Sequence, residues 1–451
     1  MNFKSINPYD GKLIAEYPEQ DYGEVEKLLN NAEFLCKTWR QTSIKERSQL
    51  IEQAGIVLRN SADRYARIIS MEMGKPITEA KAEVNKCAVV CDYYAKNSAK
   101  ILAEESIRTE AQESYVRHDP IGSVLGIMPW NFPFWQVFRF AAPTVTAGNI
   151  AFLKHAPNVF GCAKAIEEVF ETAGFPKNVF CNLMIHHEKV ESILAHKAVN
   201  AVAFTGSEAG GRAVAEIAGR NLKRTVLELG GSNAFVVWAD ADIENAVAAA
   251  VKARMLNCGQ SCIAAKRLVV VEGVYDEFVE AFTAEIRKLK TGDPLEESTQ
   301  LGPMARVDLA TELQRQVQAS VSKGARLLVG GKQNNCFHDA TILTDVTCEM
   351  EVFKEETFGP VAAIVRAKDD ADAFRIGQSS RFGLGMTIFT TDIDRAKKLA
   401  PEVTDGCYFI NEIVKSDARL PFGGTKCSGY GRELARDGMI EFVNRKTVYI
   451  L

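Results

Sequence analysis

The stretch Asn257–Ala265, NCGQSCIAA, places Cys258 and Cys262 four residues apart. A thiolate is a strong nucleophile that leaves readily from a thioester, so either cysteine could carry acyl chemistry. Two other interpretations exist. The thiols could form a disulfide, which requires Cα atoms within about 7 Å, or they could be inert, small and buried. The stretch alone does not decide among them.

A second stretch, Phe204–Gly211 (FTGSEAGG), follows a predicted strand and begins a predicted helix. The free backbone N–H groups of a helix start, with glycines and a Ser207 hydroxyl, could bind an anion. An ordinary strand-to-helix turn with a serine cap would have the same sequence. Lys154 ends another predicted strand and could meet a ribose hydroxyl or a phosphate, or simply be solvated.

Composition excludes several classes of protein. The chain has 451 residues, 47% hydrophobic and 25% charged, with a net charge of −4 and no polybasic run. This is typical of a globular protein of two or three domains and does not indicate nucleic-acid binding. The eleven cysteines include no C-x-x-C pair, so no metal site is predicted. The first twenty residues lack the apolar core of a signal peptide, and we expect a cytoplasmic location.

One long apolar segment resembles a membrane span, since from Ile121 to Leu153 the only charged residue is Arg139. Three prolines interrupt it, at positions 129, 133 and 143. A buried strand, turn and helix is therefore predicted instead, with no membrane contact.

The pattern along the chain predicts helices first and then alternating strands and helices. Helical spacing covers Asp21–Thr38, Ile44–Ser61 and Asp63–Ser98, the last split at Gly74-Lys75-Pro76. Short apolar runs separated by amphipathic helices then predict two doubly wound α/β domains joined near residue 230. The predicted strands lie near Ile150–Lys154, Val179–Ile185, Ala201–Thr205, Thr225–Leu229, Ala234–Trp238, Leu268–Val271, Ala362–Val365, Thr387–Phe389 and Tyr408–Asn411.

Two strand-like pieces belong to neither series, Glu113–His118 and the C-terminal Arg445–Leu451. A terminal strand could pair with another subunit or close its own sheet, and the residues favour neither.

Six spaced motifs occur in the order found in the aldehyde dehydrogenase superfamily, which the chain resembles from about Asn7 to its end. They are Pro129-Trp130-Asn131-Phe132-Pro133, Phe204-Thr205-Gly206-Ser207, Glu228-Leu229-Gly230-Gly231, Gly259-Gln260-x-Cys262, Glu356-x-Phe358-Gly359-Pro360 and Pro421-Phe422-Gly423-Gly424-x-Lys426-x-Ser428-Gly429. Other stretches are similar to one branch of that superfamily, the short bacterial-type succinate-semialdehyde dehydrogenases: Lys154–Asn158, Gly302–Ala305 and Ser416–Arg419.

The resemblance implies a domain organisation. Residues 1–101 and 121–230 would form the dinucleotide-binding domain, and residues 231–439 the catalytic domain. Residues 102–120 and 440–451 would form a small β oligomerisation arm. Family members are dimers or tetramers, so a homodimer or homotetramer is expected, with the C-terminal strand pairing between subunits.

The resemblance also implies the chemistry. Cys262 would add to an aldehyde, and loss of hydride to NAD or NADP would leave a thioester. Asn131, with the backbone N–H of Cys262, would stabilise the oxyanion. Glu228 would activate water to release the acid. Cys258 lies where the family does not demand a thiol and is expected to fill space, although a disulfide with Cys262 remains an alternative.

For the cofactor, the resemblance implies contacts from Lys154 to the adenosine ribose, Ser207 to the pyrophosphate and Glu356 to the nicotinamide ribose. Trp130, Gly206, Gly211, Leu229 and Phe358 would complete this site. Many NAD-preferring members carry a glutamate where this chain has Pro157, so the sequence leaves both NAD and NADP open.

The substrate prediction depends on Arg139, because an arginine in an uncharged segment needs an anion. A substrate carboxylate would serve. The resemblance implies that Arg139 lines the substrate tunnel with Ser416 on the opposite wall, with Ser261 in the same pocket and Arg419 as a second candidate cation. The alternative is a structural ion pair with an internal carboxylate. Succinate semialdehyde is the predicted substrate. Glutarate semialdehyde, general aliphatic aldehydes and a non-catalytic dinucleotide-binding role are the alternatives.

Overall fold

A computed structural model describes residues 2–451 of the chain. The helices are α1 (Tyr22–Trp39), α2 (Ile44–Asn60), α3 (Ala62–Met73), α4 (Ile77–Ile101), α5 (Trp135–Thr146), α6 (Phe160–Thr172), α7 (Val190–Ala195), α8 (Glu208–Arg220), α9 (Ile243–Met255), α10 (Glu272–Ile286), α11 (Val307–Ser322), α12 (Glu351–Lys354), α13 (Asp370–Gln378), α14 (Ile393–Lys398) and α15 (Ala435–Ile440). Short 3-10 turns occupy Pro157–Val159, His187–Lys189 and Leu256–Gly259.

The strands alternate with these helices over most of the chain. They are β1 (Asn2–Ile6), β2 (Leu13–Pro18), β3 (Glu105–Ser106), β4 (Glu113–Pro120), β5 (Ser123–Met128), β6 (Ile150–His155), β7 (Phe180–Asn182), β8 (Val199–Thr205), β9 (Arg224–Glu228), β10 (Asn233–Val237), β11 (Ala265–Val271), β12 (Arg326–Val329), β13 (Gln333–Asn334), β14 (Phe337–His338), β15 (Thr341–Thr344), β16 (Val361–Ala367), β17 (Phe382–Gly383), β18 (Met386–Phe389), β19 (Tyr408–Ile410), β20 (Thr425–Lys426), β21 (Gly429–Tyr430) and β22 (Val443–Ile450).

Two large sheets organise the molecule and confirm the α/β class. The first has the order β21-β9-β8-β5-β6-β7 and is parallel except for β21. The second has the order β12-β15-β16-β11-β10-β18-β19 and is parallel except for β12. Parallel strands are covered on both faces, which explains their continuous apolar runs. Ligands bind such sheets at the carboxyl ends of the strands.

The N-terminal helices begin and end where local signals predict. Reciprocal capping boxes start α1 at Asp21–Glu24 and α2 at Ser43–Glu46. Gly74, with a φ of 80°, ends α3, so the predicted split of the third helix is confirmed. The sequence missed the β1–β2 hairpin, because its alternating strands are short and mostly exposed.

The C-terminal strand pairs within its own chain. β22 runs antiparallel to β4 from Val443–Ile450 against Glu113–Pro120, and β3 lies on the other side of β4. Of the two predictions for this strand, closure of its own sheet is therefore observed. One edge of β22 stays open within the chain. In the described residues, none of the helices combines the length and apolar character needed to cross a membrane.

Candidate active site

Cys262 lies on a tight turn between the 3-10 turn and β11. The three residues Asn257, Cys258 and Gly259 have φ values of 56°, 53° and 69°. A Cβ at position 259 would lie 2.2 Å from the carbonyl oxygen of Gly359, so glycine is required there. Left-handed conformations of the two non-glycine residues cost about 1 kcal/mol each. The fold therefore holds the segment before Cys262 in one strained conformation.

Lys266 is not among the predicted site residues, and it fixes the backbone of this turn through hydrogen bonds. Its ammonium donates to the carbonyl oxygens of Ser261 and Cys262, each at 2.8 Å, and pairs with Glu356 at 2.9 Å. The side chain is completely buried. Burial raises the pKa of the Cys262 thiol to about 11, and the positive charges of Lys266 and Arg139 oppose that rise.

Two cavities meet at Cys262. One has a volume of about 390 Å³ and lies at the carboxyl ends of the first sheet's strands. The other, of about 330 Å³, lies between α4, α5 and the segment after β19. Cys262 and Gln136 line both cavities. The thiol is therefore placed to act on a molecule in one cavity while facing a second molecule in the other.

The larger cavity has features that fit a dinucleotide. The rings of Trp130 and Phe358 stand edge to face on its wall, 5.7 Å apart. Ser207 caps α8 by accepting from the N–H of Gly210, and the buried Thr205 hydroxyl has no hydrogen-bond partner. A helix N-terminus attracts phosphate, and an orphaned hydroxyl can bind a ligand. The predicted residues on this wall are Trp130, Gly206, Ser207, Leu229, Glu356 and Phe358.

Three predicted cofactor residues lie off this wall. Lys154 ends β6, buried, and Pro157 begins the adjoining 3-10 turn. Burial lowers the pKa of Lys154, and the Glu188 carboxylate opposes that shift. Gly211 packs against Leu229, since a Cβ there would lie 2.4 Å from a Leu229 methyl group. Gly211 therefore sets the approach of α8 to the sheet, and the roles of Lys154 and Pro157 stay predictions.

Asn131 lies in the turn between β5 and α5, beside the nucleophile. Its carbonyl oxygen accepts from the Lys75 ammonium at 3.0 Å and from the Asn257 amide at 2.7 Å. Its own side-chain amide donates to the carbonyl of Gln260 at 3.1 Å. The loop of Asn131 and the loop of Cys262 are thus joined directly, and both residues line the larger cavity.

Glu228 ends β9 and is buried behind the nucleophile. Both carboxylate oxygens lack a hydrogen-bond partner, and the residue lines neither cavity. A Cβ at position 423 would lie 2.9 Å from Glu228 Oε1, so Gly423 makes room for the carboxylate. Burial raises the pKa of Glu228 to about 8, with Arg139 opposing the shift and Glu433 adding to it.

Arg139 projects from α5 onto the wall of the smaller cavity. It forms an ion pair with Glu433, and both side chains are at most 6% exposed. Its guanidinium also lies 5.0 Å from the centre of the Phe422 ring. The structural ion pair that the sequence left as an alternative is therefore present. Its Nη2 atom has no hydrogen-bond partner.

Ser261 and Ser416 line the smaller cavity as predicted. The buried Ser261 hydroxyl has no partner, and the Ser416 hydroxyl accepts from the Lys86 ammonium at 2.8 Å. Arg419 is a correction: it does not line the cavity, its side chain is 77% exposed, and it pairs with Asp417 at 2.7 Å. Asp417, two residues before Arg419, forms the ion pair that a substrate carboxylate would otherwise have to form.

Sequence reasoning missed several residues of the site. Lys86 lies on α4 and lines the smaller cavity, but in the sequence it is one of many lysines on an amphipathic helix. Burial, with the nearby Arg139 charge, lowers the pKa of Lys86 to about 8. Glu433 lies just after the last motif, and nothing in the sequence around it indicates a role in the site. Lys266 could have been found, because a lysine within a strand this apolar needs partners.

Cys258 packs in the second sheet's core, whereas Cys262 packs against the core of the first. Cys258 is 1% exposed, and burial raises the pKa of its thiol to about 12. All eleven cysteines are free. These facts favour the space-filling interpretation. No group of three or more metal-ligating side chains occurs in residues 2–451.

Comparison with known proteins places this architecture among enzymes. The model of the aldehyde dehydrogenase family matches residues 1–448. The Escherichia coli (strain K12) protein named succinate semialdehyde dehydrogenase NAD(P)+ Sad is 45% identical over 448 residues, covering 99% of this chain and 97% of that protein. A Synechocystis sp. protein named probable succinate-semialdehyde dehydrogenase NADP(+) is 42% identical over 453 residues, 100% of both chains.

A solved structure also matches the fold of this chain over nearly its whole length. The succinic semialdehyde dehydrogenase from Streptococcus pyogenes, in complex with NADP+ as the cofactor, matches with a TM-score of 0.97 at 35% identity. The match covers 99% of each chain.

Proposed function

Because the chain belongs to the aldehyde dehydrogenase family, we propose that it oxidises succinate semialdehyde to succinate with NAD(P)+. The observation that carries this proposal is the position of Cys262, where a cavity suited to a dinucleotide meets a cavity with cationic walls. The relatives named for this reaction, with NAD(P)+ or NADP+, support it.

In the first step, Cys262 Sγ releases its proton to solvent water and bonds to the aldehyde carbon, forming a thiohemiacetal anion. The developing oxyanion accepts hydrogen bonds from the Asn131 amide and the backbone N–H of Cys262. The links from Asn131 to Gln260 and from Lys266 to the Cys262 carbonyl hold these donors in place. Trp130, Ser207, Glu356 and Phe358 would hold NAD(P)+ in the larger cavity, where it would accept the hydride, and Cys262 is left as a thioester.

Hydrolysis of the thioester requires a base for water, and Glu228 is proposed for that role. Burial raises its pKa to about 8, nearer to neutral pH than that of an exposed carboxylate, which suits a group that accepts and then releases a proton. Because Glu228 lines neither cavity, its side chain has to rotate toward Cys262 in this step. A carboxylate base at this point favours release of the free acid.

Several further features belong to the same proposal. Pro157 leaves no carboxylate to repel a 2′-phosphate, so both NAD and NADP are accepted. The proposal includes the domain boundaries predicted from the sequence. The open edge of β22 supports pairing between subunits in a homodimer or homotetramer. The eleven free cysteines support a reducing compartment, the cytoplasm. Glutarate semialdehyde remains the second candidate substrate, since the same cationic wall would accept it.

Trapping the thioester tests this function. The Glu228→Gln variant is mixed with NADP+ and succinate semialdehyde, quenched in acid and analysed by mass spectrometry of its peptides. A succinyl group on Cys262 is expected, with one NADPH formed for each subunit. The matched Glu402→Gln variant changes an exposed glutamate and should turn over without accumulating the adduct. NADPH formation without any adduct on Cys262 would contradict the mechanism.

A further inference from the structure

The segment that leads to Cys262 and the turn that carries Asn131 are joined through Asn257. The Asn257 side-chain amide donates to the Asn131 carbonyl at 2.7 Å and to the Gln260 carbonyl at 3.1 Å. Its own carbonyl oxygen accepts from the backbone N–H of Gln260 at 3.0 Å. Asn257 is completely buried, and asparagine adopts its left-handed φ of 56° more readily than most residues do. This one residue therefore links the nucleophile to the proposed oxyanion donor.

Glu79, in the first turn of α4, binds the backbone of Asn257. One oxygen of its carboxylate accepts from the Asn257 N–H at 2.7 Å. Asn257 is the first of the three consecutive left-handed residues, so this contact lies where the strained segment begins. A buried N–H without an acceptor is unfavourable, and the carboxylate supplies that acceptor. The contact therefore stabilises the conformation that leads to Cys262.

Glu83, one turn further along α4, supports the turn of Asn131. Its carboxylate accepts from two backbone N–H groups at the start of α5, at 2.9 and 3.0 Å, and it pairs with Lys75. The Lys75 ammonium donates to the Asn131 carbonyl at 3.0 Å. Residues four apart lie on the same face of a helix. Glu79 and Glu83 therefore make α4 a common support for the two catalytic segments, with one carboxylate acting on each.

From this arrangement we propose that Glu79 is a positioning residue, which through Asn257 fixes the Cys262 thiol relative to the Asn131 amide. The proposal rests on the proposed function and adds a residue that affects the chemical step without touching the reacting atoms. A misplacement of about 1 Å can cost on the order of 100-fold in rate. Glu79 also lines the smaller cavity, but as an anion it repels the carboxylate of a semialdehyde and is no ligand for it.

The test follows NADPH formation in a single turnover, with saturating NADP+ and with enzyme in excess over succinate semialdehyde. The variants are Glu79→Met, which removes the acceptor, Glu79→Gln, which keeps an acceptor oxygen, and Glu402→Met, which changes an exposed glutamate. The rate should fall on the order of 10- to 100-fold in Glu79→Met. Glu79→Gln should keep most of the rate and Glu402→Met all of it. If Glu79→Gln is as slow as Glu79→Met, the hydrogen-bond role is wrong.

Two comparisons separate positioning from other roles. The loss in Glu79→Met should be the same with butyraldehyde, because positioning does not depend on the charge of the substrate. A loss confined to the semialdehyde would contradict the proposal. In an Asn131→Ala background, Glu79→Met should cost much less than it does in the wild type, because the donor to be aligned is absent. Equal costs in the two backgrounds would show that Glu79 acts independently of Asn131, against the proposal.

Cofactor binding gives a readout that positioning leaves unchanged. The Kd of NADP+, measured by tryptophan fluorescence, should be the same in Glu79→Met and the wild type. A Kd that rises by the factor lost in rate would place the effect in cofactor binding and overturn the proposal. If the wild type forms NADPH and Glu79→Met does so at the wild-type rate, only the role of Glu79 fails. If the wild type forms no NADPH with either aldehyde, the proposed function itself fails.

Discussion

Arg139 and Glu433 form an ion pair inside the protein, with side-chain exposures of 2% and 6%. Arg139 lines the smaller cavity, and both charges act on the nearby Glu228 carboxylate. A buried charge that loses its partner is strongly destabilising, whereas an intact pair contributes little net stability. Arg139 also lines that cavity with an unpartnered Nη2 atom, so its role as a substrate ligand stays a prediction beside its ion pair.

Removal of Glu433 should therefore destabilise the fold. We expect Glu433→Ala to lower the free energy of unfolding by about 3–5 kcal/mol, because the Arg139 charge is left buried without an anion. Urea unfolding followed by circular dichroism measures the change. The double variant Arg139→Met/Glu433→Ala should recover part of the loss, and Glu402→Gln serves as the exposed control. Equal stability of the wild type and Glu433→Ala would contradict the structural role.

Thioester hydrolysis should depend on pH through Glu228. Its pKa is raised to about 8 by burial, and only the deprotonated carboxylate can take a proton from water. The hydrolysis rate should therefore be low below pH 8, rise through that value and level off above it. Stopped-flow measurement separates this phase from the earlier hydride-transfer burst. Glu228→Gln should lose on the order of 100-fold or more in this rate and show no such rise.

Lys266 should control the reactivity of the nucleophile without touching substrate. Lys266→Met removes the positive charge that most strongly lowers the pKa of Cys262. It also removes the hydrogen bonds to the Ser261 and Cys262 carbonyls. The pKa of the thiol should rise further, and kcat should fall on the order of 10-fold or more. Iodoacetamide alkylation of Cys262 against pH reports the thiol directly, with Lys252→Met as the exposed control. An unshifted alkylation profile would mean that Lys266 acts only on Glu356.

Cys258 should behave as a buried space-filling residue. Cys258→Ala is expected to cost about 1 kcal/mol of stability through the lost sulfur contacts. After peroxide treatment, recovery of activity by dithiothreitol should be the same in Cys258→Ala and the wild type. Recovery confined to the wild type would establish the Cys258–Cys262 disulfide that the sequence left open.

Most of the fold was predictable because the strands of both sheets are buried parallel strands. Such strands appear as apolar runs separated by amphipathic helices, and β8, β9, β10 and β11 were all predicted from that pattern. The strands that were missed, such as β1, β2 and β12, are short or antiparallel and lie at edges. Their pattern is weak because one face or more is exposed.

The site was predictable only where a residue is tied to a local motif. Cys262, Asn131 and Glu228 each stand in a turn or strand end that the sequence identifies, and the structure brings these three segments together. The partners of Arg139 and Lys86 could not be predicted in this way. Glu433 is 294 positions from Arg139 and Ser416 is 330 from Lys86, so only the tertiary fold shows which cation is neutralised.

The measurement that tests the account most directly is the initial rate of NAD and NADP reduction with succinate semialdehyde and with butyraldehyde. We predict a kcat/KM preference for the semialdehyde on the order of 10- to 100-fold or more, because a single charge-assisted contact supplies that difference. Both cofactors should support turnover. Equal kcat/KM values for the two aldehydes would contradict the account, since the cationic wall of the smaller cavity would then have no part in selecting the substrate.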